Sequence, residues 1–432
     1  MTVIALDDTD SRERGMCTTY LATRLAERLA DEGETTDRRL LVRLNPAVEH
    51  KTRGNAALAL HTDCPPEAAF AHACRAVARW SEVADDRTSH GVVVAPGDPG
   101  DVPSSVTRFA RDAVRDLLSL ADARALADEH DYHHRGWDGG RGRIGALAAV
   151  GAWTAFDDWT YERISYRAFD RCGSPREVDV DSVFAAADRG YPTVWDTVDR
   201  VEGEPVCVPN APGPILHGVR GDDPDSCRAV AAAIESEPVD RSATFLTNQG
   251  TDAHLREGPE TLRDGRAYRV SGVVVDPPET RRGGHVFVGL APDADVGVDP
   301  DGGDGSDHLD CVAFEPTKRF RDRVRSLRAG DRLSVCGEVS RGTLKLEKFA
   351  VRSLRRREPT VPVCPSCGRS MESAGRGQGY RCRDCDTASR KTTRRVDRDL
   401  ERGWYEVPPC ARRHIAKPLV RGGFDAPTHP ER

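Results

Sequence analysis

The chain has 432 residues, a net charge of −7, and 38% hydrophobic against 31% charged residues. This length exceeds one ordinary domain and points to about three, and the composition excludes a fibrous or wholly disordered chain. No run approaches the roughly 20 apolar residues of a membrane span, and the opening MTVIALDDTD lacks the basic region and cleavage site of a signal peptide.

Residues 2–6 (TVIAL) read as a buried strand that runs straight into the acids Asp7, Asp8 and Asp10. Leu21, Leu25 and Leu29 then recur every four residues and Gly33 supplies a stop, which predicts a helix. Leu40–Leu44 reads as a second strand. Two later segments look like related βαβ units. The first is Ala56–Leu60, Pro66–Trp80 and Gly91–Ala95; the second is Pro214–Val219, Asp225–Ser236 and Ser242–Thr247. Paired, they would make one ferredoxin-like sandwich, with residues 100–205 folding back onto the N-terminal unit. Tyr161, Glu162 and Tyr166, within that return, read as part of a packed helix. From 266 to 354 five strand-like runs appear: Tyr268–Val275, His285–Leu290, Asp310–Glu315, Arg332–Glu338 and Thr343–Val351. A helical run, Lys318–Leu327, sits between the third and fourth, the arrangement of an OB-type barrel. The acidic, Gly-rich stretch 292–308 reads as a solvated insertion.

The thirteen cysteines are odd in number and follow no export signal, which argues for reduced thiols in a cytoplasm. Four of them form Cys364-Pro-Ser-Cys367 and Cys382-Arg-Asp-Cys385. Each CxxC sets two thiolates on one tight turn, and two such turns close a tetrahedral structural zinc site with no open position for chemistry. Arg381 and Lys391 lie nearby, and Trp404 offers a stacking face, a composition suited to phosphate contact and base stacking. The acidic whole carries no general nucleic-acid signature, so this local basic surface matters more than the sum.

The three aspartates follow a strand end, where carboxylates can hold magnesium beside a phosphate; a turn of helix-capping acids is the alternative. Thr18, at the start of the first helix, reads equally as an N-cap or as a phosphate acceptor. Lys51, Arg53, Arg141, Gly142 and Arg143 lie in two short Gly- and Arg-bearing loops that suit phosphate oxygens. Neither is a Walker loop, since the GK[ST] ending is missing.

Together these stretches resemble one family, the archaeal isoleucine-tRNA 2-agmatinylcytidine (agmatidine) synthetases. The resemblance rests on DDTDSRERGMCTTYL (7–21), KTRGN (51–55), GRIGALAAVG (142–151), NAPGPILHGVRG (210–221), TNQGTDAH (247–254), the cysteine pairs and WYEVPPCARRHIAK (404–417). It implies an α+β multidomain protein: a kinase-like domain (1–55 and 131–205) interleaved with a ferredoxin-like domain (56–130 and 206–258), an OB-fold barrel (266–356), and a zinc ribbon with a basic tail (360–432). It also implies an ATP-dependent ligase that joins agmatine to C2 of the wobble cytidine of the CAU-anticodon isoleucine tRNA through a phosphorylated cytidine, so that AUA is decoded. Asp7, Asp8, Asp10 and an autophosphorylated Thr18 are the implied catalytic set. ATP, Mg2+ and structural Zn2+ are the implied cofactors, and Arg381, Lys391, Trp404, Arg412 and Arg413 the expected RNA contacts. The agmatine dication calls for carboxylates and aromatic faces; Tyr161, Glu162 and Tyr166 are candidates for it, against the plainer reading of a packed helix. No membrane and no obligate protein partner are expected. Two other readings compete: an RNA-binding protein with a degenerate enzyme unit, and a metal-dependent phosphoesterase.

Overall fold

The computed structural model describes all residues except 12, 14, 50–53, 82–84, 86, 258–260, 294–296, 299–307 and 391. Lys51, Arg53, Lys391 and most of the acidic stretch 292–308 therefore lie outside the described residues.

The N-terminal unit runs β1 (Thr2–Asp7), α1 (Thr18–Asp31), β2 (Thr36–Arg43), β3 (Ala56–Thr62), α2 (Pro66–Trp80) and β4 (Gly91–Pro96). Its strand order is β4-β1-β3-β2 with every neighbour antiparallel. Helices α3 (Ser104–Arg115) and α4 (Leu120–Glu129), strand β5 (His133–Gly136) and helix α5 (Arg143–Ala155) follow, β5 extending the sheet beside β4. The β1 run is apolar throughout because both faces of the sheet are covered. Val3 and Ala5 pack with α3, α4 and α5, while Ile4 and Leu6 pack with α1 and α2.

A second unit repeats this path. It comprises β6 (Thr160–Tyr166), α6 (Val180–Gly190), β7 (Val194–Trp195), β8 (Ile215–Gly221), α7 (Pro224–Ala232) and β9 (Arg241–Thr247), in the order β9-β6-β8-β7. A parallel contact, Leu40↔Leu246 and Leu41↔Thr247, joins β2 to β9 and makes one nine-stranded sheet.

This topology corrects two expectations. Segments 56–95 and 214–247 do not pair into one sandwich: β3 and β4 flank β1, whereas β8 and β9 flank β6. Residues 160–205 thus fold with 206–247 rather than returning to the N-terminal unit. The cause is the second correction, since Tyr161, Glu162 and Tyr166 lie on a strand. Along β6, Glu162, Ile164 and Tyr166 share one face and Tyr161, Arg163 and Ser165 the other, a period of two rather than 3.6.

The chain then forms β10 (Leu255–Glu257), β11 (Thr261–Leu262), β12 (Arg266–Thr280), β13 (Val286–Pro292), β14 (Gly297–Val298), β15 (Leu309–Ala313), α8 (Phe320–Arg325), β16 (Arg332–Ser340) and β17 (Thr343–Ser353). Strands β12, β13, β15, β17 and β16 pair in a closed ring, with only β15–β17 parallel, so a five-stranded barrel results. Phe320 and Val324 of α8 pack into its core.

From the barrel the chain leaves through β18 (Arg357–Thr360) and comes back through β22 (Thr392–Arg395), an antiparallel pair. Between them β19 (Glu372–Ser373), β20 (Tyr380–Arg381) and β21 (Ala388–Ser389) form the small cysteine-bearing sheet. The last segment is not a free basic tail. Strand β23 (Gly403–Glu406) pairs with β17 and β24 (Thr428–His429) with β23. Between these strands the chain crosses to the nine-stranded sheet: Gly250 N–H donates to His414 O, Asp252 N–H to Ile415 O, and Arg421 pairs with Asp158 and Asp222. Among the described residues no helix is long and apolar enough to cross a membrane.

Candidate functional site

A cavity of about 820 Å³ opens where β1 and β2 end. Asp7, Asp8, Asp10 and Thr18 line it from the N-terminal unit, Arg141, Gly142 and Gly145 from the start of α5, and Glu162, Gly218 and Arg220 from the face of β6 and β8. Glu338 and Arg341 reach it from the barrel and His414 from the C-terminal segment. Five parts of the chain, far apart in sequence, thus share one volume.

The aspartate loop is held by hydrogen bonds to its neighbours. Asp8 takes a left-handed conformation (φ 56°). Its amide donates to Asp7 Oδ1 at 2.8 Å, and its own Oδ2 accepts from the Ser89 amide at 2.9 Å. Thr88 Oγ1 donates to the Asp10 carbonyl. Burial pushes the Asp7 carboxyl well above its ordinary range, and the neighbouring Asp8 adds to that. Burial likewise lifts Asp8 to about 6, partly opposed by the Ser89 amide. Acids held this way gain most from a cation or from donors brought by a ligand.

Two helices begin at the cavity. Neither α1 nor α5 has a side-chain N-cap or an acid in its own first turn, so both positive dipole ends face the space, that of α5 with the Asp7 carboxylate against Gly145. Thr18 opens α1, and its Oγ1 accepts from Thr9 Oγ1 at 3.1 Å; it is not the N-cap, a position Cys17 holds. At the α5 start, Arg141 N–H donates to Ser89 Oγ and Gly142 N–H to Ser89 O. Gly142 and Gly145 are required by space. A Cβ on Gly142 would lie 2.7 Å from the Asp7 carbonyl oxygen, and one on Gly145 would fall on Asp7 Oδ2. Arg143 turns away, bonding Gly140 O at 3.0 Å and approaching His134 at 3.5 Å, so of the expected loop cations it braces its own loop rather than lining the cavity.

Of the β6–β8 wall, only Glu162 was legible as a candidate. It is buried, accepts from Gln249 Nε2 at 2.6 Å and lies 4.0 Å from Arg43. Gly218 leaves the space its carboxylate fills, since a Cβ there would sit 2.8 Å from Glu162 Oε1. His414 keeps its ring open to the cavity. Desolvation by the surrounding walls, then Arg43 and Arg220, hold that imidazole well below its usual range, so it is neutral at pH 7.

At the far end of the chain, the sulfurs of Cys364, Cys367, Cys382 and Cys385 lie within 4.8 Å of one another. A tetrahedral zinc with bonds near 2.3 Å separates its sulfurs by roughly 3.8 Å, and Cys367 Sγ and Cys382 Sγ are 3.5 Å apart. The donor set therefore fits zinc, and it is the one His/Cys/Asp/Glu cluster of metal-binding dimensions among the described residues. Arg381 is exposed beside it.

Three expected RNA contacts stand differently. Trp404 is 1% exposed; its Nε1 donates to Asp425, and Arg269 and Arg352 lie over its ring, so no face is open to a base. Arg412 is buried between Asp196 and Glu406. Arg413 pairs with Glu338 and Glu347. Three of the four acids that claim these arginines, Asp196, Glu338 and Glu347, are distant in sequence, which is why a basic run there resembled a phosphate-binding surface.

Sequence models of the TiaS TCKD domain, the TiaS FLD domain and the TiaS C-terminal zinc ribbon domain match residues 3–64, 140–254 and 361–400. The isoleucine-tRNA 2-agmatinylcytidine synthetase TiaS of Haloquadratum walsbyi is 58% identical over 100% of both chains, and that of Methanosarcina mazei 45% identical over 97% of each. The crystal structure of TiaS in complex with its isoleucine tRNA and ATP superposes with a TM-score of 0.88 at 37% identity, covering 100% of this chain and 99% of that one. A TiaS complex with the same tRNA, AMPCPP and agmatine gives 0.85 at 35% identity with the same coverage. The chain belongs to the TiaS family of isoleucine-tRNA 2-agmatinylcytidine synthetases.

Proposed function

We propose that this protein uses ATP to join agmatine to C2 of the wobble cytidine in the CAU-anticodon isoleucine tRNA. The observation that carries this reading is the shared cavity. Paired aspartates, a threonine hydroxyl at an uncapped helix start, a buried glutamate and the barrel edge all meet in one space large enough for a nucleotide and a base. In a family whose relatives are solved with tRNA, ATP and agmatine, each feature has a use.

The 2-carbonyl oxygen of cytidine is a poor leaving group. Transfer of a phosphoryl group from ATP to that oxygen makes it a good one. The primary amine of agmatine then attacks C2, the C2–O bond breaks, and phosphate leaves with the oxygen as the amine loses a proton. The two uncapped helix starts and Arg141 would stabilise phosphate charge. Asp7, Asp8 and Asp10 suit Mg2+, which ordinarily takes one or two carboxylates and completes its shell with phosphate oxygens and water; bound there, it would neutralise charge on the transferring phosphate. The Thr18 hydroxyl, whose oxygen accepts from Thr9, would take a phosphoryl group from ATP in a separate autophosphorylation, losing its proton as the O–P bond forms. Glu162 is the carboxylate we assign to the agmatine cation, since it is the buried acid of the second unit that lines the cavity. The base must leave its stack to enter.

We read the two βαββαβ units as ferredoxin-like, the first adapted to a kinase-like task, the barrel as an OB fold, and the ribbon with its exposed Arg381 as an RNA contact. The test is incubation with ATP, magnesium, labelled agmatine and the CAU isoleucine tRNA. Label at the wobble base is expected, and tRNA binding without label would overturn the reading.

A further inference from the structure

Among the described residues, Arg141, Arg220 and Arg341 line the cavity without an ion-pair partner, and Arg220 is the buried one of the three. Arg220 is 4% exposed and lines the cavity. Its Nε is buried without a hydrogen bond, and its guanidinium makes no ion pair with any described residue. A buried guanidinium is normally paired, because an uncompensated buried charge is strongly unfavourable. The register makes the lack more telling. Arg220 on β8 stands directly across from Glu162 on β6. Yet the Glu162 carboxylate turns to Gln249 at 2.6 Å and to Arg43 at 4.0 Å. One carboxylate thus serves a wall that carries two guanidiniums. The face of Trp195 lies 6.0 Å from Arg220, a weak contact that takes up none of its N–H donors. Arg43 donates its terminal nitrogens to Gly54 O and Gln249 Oε1 and keeps a buried Nε without a partner. His414, the third group here, is neutral and exposes its ring to the cavity.

We propose that Arg220, with Arg43 and the His414 ring, forms a phosphate-binding subsite on the β6–β8 wall of the cavity. Guanidinium forks match phosphate oxygens in geometry and charge, and a neutral imidazole can donate one further N–H. The bound group completes the charge balance the protein leaves open. The position deepens the proposed function, on which it rests for the owner of the phosphate. The wall lies on the second unit, beside the barrel edge at Glu338 and Arg341. A phosphodiester next to the extruded nucleotide would fix that nucleotide in register for attack; a phosphate of the nucleoside triphosphate is the other source of the same chemistry.

The experiment uses the full-length protein and Arg220→Met, with Arg220→Lys as the conservative variant. Three quantities are read: the melting temperature without ligand, the affinity for CAU isoleucine tRNA at two salt concentrations, and the affinity for ATP without tRNA. Removing an unpaired buried charge should leave the melting temperature equal or higher. If the phosphate is the RNA's, Arg220→Met loses about tenfold or more in tRNA affinity with ATP binding unchanged, and Arg220→Lys recovers part of it. If it is the nucleotide's, the loss appears in ATP binding alone. Both affinities within about twofold of wild type, or a clear fall in melting temperature, would make Arg220 structural and overturn the proposal. Agmatine incorporation by the wild type is scored separately, so failure of the parent reading is distinguishable: the variant can lose phosphate affinity whether or not agmatine is the co-substrate.

Discussion

Replacing Asp8 by asparagine should make the ligand-free protein more stable while abolishing its chemistry. Burial raises the Asp8 carboxyl from the usual 3.8 to about 6. At neutral pH the folded state therefore holds an ionised group that the unfolded chain accommodates more easily. A rise of that size corresponds to roughly 3 kcal/mol of destabilisation once the group is ionised in both states. Asparagine never ionises, and its Oδ1 can still accept from the Ser89 amide that now donates to Asp8. Asp7 and Asp10 also relax when a like charge is removed, so a gain of ~1–3 kcal/mol is expected, or roughly 2–4 °C per kcal/mol in a unit of this size. Below about pH 4 the wild-type carboxyl is protonated folded and unfolded, and the two proteins should melt together. Between about pH 4 and 6 the folded acid stays protonated while the unfolded one ionises, so wild-type stability falls relative to the variant; above that the gap is constant. Thermal melts of both proteins from pH 3.5 to 8, free of nucleotide and divalent ions, would measure it. A variant less stable at pH 7, or a difference that does not change with pH, would refute the reasoning.

Three further substitutions probe other parts. Gly145→Ala puts a methyl onto Asp7 Oδ2; displacing that carboxylate should lower turnover by on the order of 100-fold, read as agmatine incorporation, with stability reduced by ~1–3 kcal/mol. Arg412→Ala strands the buried Asp196 and Glu406 and should destabilise by ~3–5 kcal/mol, seen in denaturant melts, while tRNA affinity of the folded fraction stays unchanged; a selective loss of tRNA binding would restore Arg412 as an RNA contact. Cys364→Ser should release zinc from the ribbon, weaken tRNA binding and leave ATP-dependent labelling of Thr18 intact; unchanged tRNA affinity would remove the ribbon from RNA recognition.

What could be read from the sequence follows the range of the interactions involved. The zinc set was legible because each pair of ligands lies on one turn, and the aspartate loop because its residues are consecutive. The barrel strands were legible because apolar runs bounded by Gly and Asp mark them: Arg332–Glu338 and Thr343–Val351 occur as β16 and β17 within two residues at either end. Strand β6 was missed because TYERISY sets Glu162 on the cavity face and Arg163 on the opposite one, so the usual apolar alternation is absent. The mispairing of the βαβ units followed directly, since β6 lies between β8 and β9 in the second. Trp404 and Arg412 were misjudged for the opposite reason. An aromatic ring and a guanidinium look like RNA-binding groups until the acids that enclose them, Asp425 and Asp196, arrive from elsewhere in the chain. Glu162, Arg220 and His414 meet only in the folded protein, although the stretch NAPGPILHGVRG, which ends beside Arg220, marked the region.

One cavity must both activate a cytidine and deliver an amine to it. The most direct measurement gives wild type and Thr18→Ala the CAU isoleucine tRNA with magnesium, γ-labelled ATP and carbon-labelled agmatine, and locates both labels. Wild type should place agmatine on the wobble nucleotide and nowhere else in the tRNA, and phosphate on Thr18. Thr18→Ala should melt within about 2 °C of wild type, because only a hydroxyl bond to Thr9 is lost, yet transfer little of either label. Full agmatine transfer by Thr18→Ala, or phosphate release from ATP by wild type with no agmatine in the tRNA, would contradict the account.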